Sequence, residues 1–137
     1  LLSLLLVNIR VYLHSFQTHQ DKGNAYYIFG QEVENKIEEG KTIYLSTTPD
    51  LYFLLKGRNN LYEFPTVQPL QKEYINLLND SDYIVINFHL EHLFVGTLLD
   101  RYIEVNKHRE YSVSTANLYQ AQIIELVPKD KRQVPKL

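Results

Sequence analysis

The run Asp82-Tyr83-Ile84-Val85-Ile86-Asn87-Phe88 is apolar and β-branched almost throughout, with no alternation that would leave one side in water. A strand of this kind is covered on both faces, so it belongs at the centre of a sheet with helices above and below. The flanking pattern agrees. Lys41-Thr42-Ile43-Tyr44-Leu45-Ser46 and Asn60-Leu61-Tyr62-Glu63-Phe64 read as two further strands, and the segments around them carry helical spacing. Asn24 is placed to cap a helix whose inward stripe is Tyr26, Phe29, Val33 and Ile37, with Gly40 at its end. Thr48-Pro49-Asp50 supplies a cap, a first-turn proline and a first-turn acid for a short helix carrying Leu51, Phe53, Leu54 and Leu55, stopped by Gly57.

Leu70, Tyr74, Leu77 and Leu78 trace another amphipathic helix, and Leu90, Leu93, Phe94, Leu98, Tyr102 and Val105 one more, closed by Lys107-His108-Arg109. Two last strands, Glu110-Tyr111-Ser112-Val113-Ser114 and Tyr119 to Val127, flank Thr115-Ala116-Asn117-Leu118 as a hairpin. Strands alternating with helices imply right-handed crossovers. The expected fold is therefore α/β: a doubly wound, mostly parallel sheet with helices on both faces and a C-terminal antiparallel hairpin at one edge.

Residues 24–127 form a single α/β domain in this reading, and residues 128–137 a polar tail that reads as disordered. Residues 1–20 stand apart. From Leu1 to Phe16 the chain is leucine-rich, and Leu1, Leu2, Leu5, Leu6, Ile9, Tyr12, Leu13 and Phe16 share one broad helical face. Asn8 and Arg10 interrupt the stretch, which is shorter than the roughly 20 apolar residues of a membrane span. Two readings fit: an amphipathic helix covering the domain's own core, or the last turns of a transmembrane helix.

Composition narrows the chemistry. The 137 residues hold no cysteine, which excludes disulfides, thiolate catalysis and cysteine-ligated metals. Fourteen basic residues against sixteen acidic ones give a net charge of −2, without the basic excess that nucleic acid demands. Eleven tyrosines sit at helix and strand spacing, as core-packing residues with hydroxyls reaching water.

In a doubly wound sheet ligands bind where loops leave the carboxyl ends of the strands. That rule selects Thr47 and Thr48 after the first strand, Gln68 after the second, and Asn87, His89 and His92 after the third as candidate ligand-binding residues. Ser46-Thr47-Thr48-Pro49-Asp50 contains no glycine, so neither a dinucleotide fingerprint nor a P-loop is present, and no cofactor is called for. His89 and His92, three apart with Glu91 between, have metal-ligand spacing but match no zinc-protease motif and have no third ligand signposted; capping or solvent-facing histidines is the simpler reading, and no metal is assigned. Glu32, Glu34, Glu38 and Glu39 read as a solvated helix face, and Asn79-Asp80-Ser81 matches the glycosylation acceptor pattern at a helix end. No catalytic residue is assigned.

The order of features, rather than any catalytic motif, resembles a known context. The leucine-rich start, Ile37-Glu38-Glu39-Gly40-Lys41-Thr42-Ile43-Tyr44-Leu45, Leu51-Tyr52-Phe53-Leu54-Leu55-Lys56-Gly57-Arg58, Ser81-Asp82-Tyr83-Ile84-Val85-Ile86 and Ile123-Ile124-Glu125-Leu126 resemble the soluble C-terminal domain of polytopic membrane glycosyltransferases of the dolichyl-phosphate-mannose protein mannosyltransferase and aminoarabinose transferase type. The resemblance implies a non-catalytic domain on the extracytoplasmic side of a membrane. Its partners would be the membrane-embedded part of its own chain and a polyprenyl-phosphate sugar lipid, with no nucleic acid. The family's catalytic acids lie in an early loop outside this chain. Two alternatives rest on the residues alone: an independent α/β ligand-binding or regulatory module using the strand-end crevice, and a small metal enzyme or hydrolase centred on His89 and His92.

Overall fold

A computed structural model describes residues 17, 20, 23–46, 49–63, 71–87, 97–115 and 119–135. Five strands, β1 (Thr42–Ser46), β2 (Asn60–Glu63), β3 (Tyr83–Asn87), β4 (Lys107–Thr115) and β5 (Tyr119–Leu126), form one sheet in the order β2-β1-β3-β5-β4. The helices are α1 (residues 23–34), α2 (Pro49–Leu55), α3 (Gln71–Asp80) and α4 (Leu98–Asn106).

The sheet is mixed, which corrects the expectation of a doubly wound, mostly parallel one. β1 pairs parallel with β2 and β3, while β5 runs antiparallel to both β3 and β4, and these antiparallel ladders are the longer ones. The cause lies in the hairpin. A short connection from Thr115 to Tyr119 forces β5 antiparallel to β4. Of the two arms, β5 buries Ala121, Ile123, Ile124 and Leu126 whereas β4 buries Val113 alone, so the more apolar arm takes the inner place beside β3. The hairpin does occupy one edge of the sheet, and β3 does lie at its centre.

Alternation along each strand separates two apolar layers. On one face Ile43, Leu45, Val85, Val113, Ala121 and Ile123 pack under Phe29 and Val33 of α1, Ile37, and Leu51 and Leu55 of α2. On the other, Tyr44, Ile84, Ile86, Ile124 and Leu126 meet Leu78 of α3 and Leu99 and Tyr102 of α4. α1 and α2 touch at Gly30, where a Cβ would come within 2.8 Å of the Leu54 side chain. Of the apolar residues that α2 carries, Phe53 is exposed to solvent.

Several boundaries shift. The chain is helical at Gln17, Gln20 and from Gly23, so Asn24 is not a cap. α1 ends at residue 34; Gly40 takes φ +78° in the following turn, where its N–H bonds the Arg58 carbonyl at 3.0 Å. α4 starts at Leu98, with the Thr97 hydroxyl accepting from Asp100 N–H, so Leu90, Leu93 and Phe94 precede its cap and lie outside the described residues, as does Leu70. Lys107, His108 and Arg109 open β4 instead of closing a helix, and β4 extends beyond the expected 110–114 at both ends.

The polar tail is tied down through residue 135, contrary to the expectation of disorder. The amide of fully buried Asn106 donates to the Gln133 carbonyl and accepts from the Gln133 N–H, both at 2.8 Å, so a side chain plays the part of a neighbouring strand. The Arg132 guanidinium caps the C-terminus of α3, donating to the Leu78 carbonyl at 3.1 Å and to the Asn79 carbonyl. Lys129 bonds Asp80 at 3.0 Å. Hydrophobicity could not forecast this strap, because polar side chains on main-chain groups hold it. Among the described residues no helix is long and apolar enough to cross a membrane, and residues 1–16 lie outside that set.

Candidate functional site

The parallel half of the sheet sets the geometry. β1 leads through α2 to β2, and β2 leads through α3 to β3 on the other side of β1. α2 packs on one face and α3 on the opposite face, so the winding reverses between β1 and β3. Pairing of Leu45 with Glu63 and of Ser46 with Ile86 brings the carboxyl ends of β1, β2 and β3 level at one edge. A crevice at such a reversal is where open α/β sheets hold ligands, because crossovers depart to opposite faces and leave a gap between strand ends.

Of the candidate residues, Asn87 closes β3 opposite Ala121 at this carboxyl edge. Thr47, Thr48, Gln68, His89 and His92 lie outside the described residues. Their segments set out from the same edge, since residues 47–48 follow β1, 64–70 follow β2 and 88–96 follow β3.

The amino edge is built differently. The Asp82 carboxylate accepts the Thr42 N–H at 2.9 Å, while the Asp82 N–H donates to the Thr42 carbonyl and the Asp82 carbonyl accepts from Leu126 N–H at 3.0 Å, knitting the starts of β1 and β3 to the end of β5. Asn59, nearly buried, donates to the carbonyls of Glu38 at 2.8 Å and Lys41 at 3.2 Å, and Arg58 donates to the Ile37 carbonyl at 3.0 Å.

Beside this seam lies an open cleft of about 490 Å³, lined by Glu38, Lys41, Asp82, His108, Glu125 and Lys131 among others. Sequence reading missed it, because its lining comes from four separated stretches and carries no local motif. Its acids are already engaged: Asp82 with Thr42, Glu38 with Lys41 at 3.6 Å, and Glu125 with the Tyr111 hydroxyl at 3.3 Å. Among the described residues no three His, Asp or Glu side chains gather to hold a metal.

Burial disfavours the phenolate and pushes the Tyr44, Tyr74, Tyr83 and Tyr102 hydroxyls to ionise above the usual tyrosine pH range. Tyr44 and Tyr102 are fully buried, and the Tyr102 hydroxyl donates to the Asn79 side chain at 2.7 Å instead of reaching water. That bond occupies the amide oxygen of the one glycosylation acceptor pattern, and Ser81 is buried with its hydroxyl on the Leu77 carbonyl, so the motif is a helix-end structure. Asp80 is held below the usual carboxylate range by the Tyr62 hydroxyl and then by Lys129. Glu110 is lowered by Lys107 and then Gln122. These shifts belong to surface and strap contacts away from the carboxyl edge.

Comparison with known protein families, with curated proteins and with solved structures finds no match to this chain.

Proposed function

We propose that this chain is the non-catalytic, extracytoplasmic accessory domain of a membrane glycosyltransferase that uses a polyprenyl-phosphate-linked sugar. The observation that supports this reading is the asymmetry of the sheet: at the amino edge the starts of β1 and β3 are tied to the end of β5 by main-chain and side-chain hydrogen bonds, and the carboxyl ends of β1, β2 and β3 end level at the winding reversal. A domain with one such edge suits a part that covers or shapes a site supplied by another region of its protein. The resemblance of the quoted segments to the soluble domains of these transferases supplies the parent, and the leucine-rich residues 1–16 supply the link to the membrane-embedded part.

A second reading, an independent α/β module that binds a small polar ligand at the same crevice, draws on the reversal between β1 and β3 alone. Assaying the chain with polyprenyl-phosphate sugars and with nucleotide sugars tests the first reading. No transfer is expected from the chain alone, and loss of transfer is expected when the domain is removed from its parent enzyme. Turnover by the isolated chain that a single acidic substitution abolishes would overturn it.

A further inference from the structure

The direction of α1 decides at which edge of the sheet the chain enters it. Tyr26 and Phe29 of α1 pack on Tyr119 with ring centres 5.4 and 5.7 Å apart. Tyr119 opens β5 two residues beyond the Asn87–Ala121 pair, past the carboxyl end of β3. Further along, the Lys36 ammonium lies 5.6 Å from the ring centre of Tyr111, and Ile37 and Glu38 reach the amino edge at Lys41 and Asn59. α1 therefore descends the sheet from carboxyl to amino edge, and the chain preceding it enters at the carboxyl edge.

Exposed apolar side chains accompany that entry. Tyr27 and Ile28, on the first turns of α1, are 63% and 48% exposed, and Phe53, on α2 beside Leu54 that packs on Gly30, is 79% exposed. Among the described residues the other large exposed apolar side chains, Val105 and Val134, lie at the other end, where α4 runs into β4 and the C-terminal strap crosses it. Aromatic and aliphatic side chains exposed together at that end match the interfacial region of a bilayer, where rings and hydroxyls are both accommodated.

We infer that the carboxyl edge faces a lipid bilayer, with Tyr27, Ile28 and Phe53 at the lipid interface and the amino edge with its C-terminal strap turned away. This inference rests on the membrane-enzyme reading above and adds an orientation to it.

The absence of cysteine makes the test direct, since a single introduced thiol is the only one present. Ile28→Cys, Phe53→Cys, Val105→Cys and Val134→Cys, all at exposed positions, are labelled with an environment-sensitive fluorophore in the full 137-residue chain. Each is mixed with phosphatidylcholine–phosphatidylglycerol vesicles containing a lipid-borne quencher, and circular dichroism checks that every variant folds. The expected result is vesicle binding with a blue shift and loss of fluorescence at positions 28 and 53, and neither change at 105 and 134. Binding with quenching at 105 and 134, or equally at all four, would overturn the orientation while leaving the membrane reading in place. Absence of binding to vesicles would overturn both.

Discussion

β3 and β4 are separated by a single strand, yet they obey different rules. β3 buries Tyr83, Ile84, Val85 and Ile86 to 4% exposure or less, with side chains feeding both layers of the core. β4 is the longer strand and buries only Val113; its other inward positions are half covered and its opposite face is left to Glu110, Ser112 and Ser114. The difference follows from cover. α1 and α2 lie on one face of β3 and α3 and α4 on the other, whereas the edge strand is covered from one side. Charges at Lys107, Arg109 and Glu110 blunt that edge against pairing with another chain. Position in the sheet, more than strand length, determines what a strand contributes to stability.

Truncating Ile84 tests the comparison most severely. Its side chain is fully buried between Tyr44, Leu78, Leu99 and Ile124, so Ile84→Ala should destabilise the fold by about 2–5 kcal/mol, read as a lower urea midpoint at unchanged slope. A loss near zero would mean that the α3–α4 layer does not close over β3.

A smaller effect is expected where the strap meets α4. Asn106→Ala removes both partners of the Gln133 main chain and should cost about 1–3 kcal/mol. Proteolysis after Val127 should also become faster than in the parent chain. Unchanged cleavage would assign the anchoring of this segment to Arg132 instead.

At the edge strand the same kind of change should be nearly silent. Ser112 is exposed opposite Gln122, and Ser112→Ala should stay within about 0.5 kcal/mol of the parent in the same denaturation experiment. A large loss there would show that the outer face of β4 is covered in solution and that the contrast with β3 is false.

The candidate site was legible to a limited depth. The rule that ligands gather at carboxyl strand ends selected an edge, and of the selected residues only Asn87 falls within the described part, at the end of β3. The amino-edge cleft and its seam escaped sequence reading for a physical reason. Asp82 on Thr42, Asn59 on Glu38 and Lys41, and Arg132 on α3 are polar side chains bonded to main-chain groups far along the chain. Such bonds leave no periodicity, because a carbonyl is the same acceptor whatever residue carries it.

By itself the sequence determined the α/β class, the central place of β3 and the edge hairpin. Each rests on local signals: an unbroken apolar run needs cover on both sides, helical spacing supplies that cover, and a short connection turns a strand back on its neighbour. Tertiary structure decided that the sheet is mixed, that Phe53 faces out and that the tail becomes a strap. Those outcomes depend on competition between distant groups. β5 displaces β4 from the centre because it has more apolar surface to bury, and Asn106 captures Gln133 because the fold brings a buried amide to an otherwise unpaired stretch of main chain.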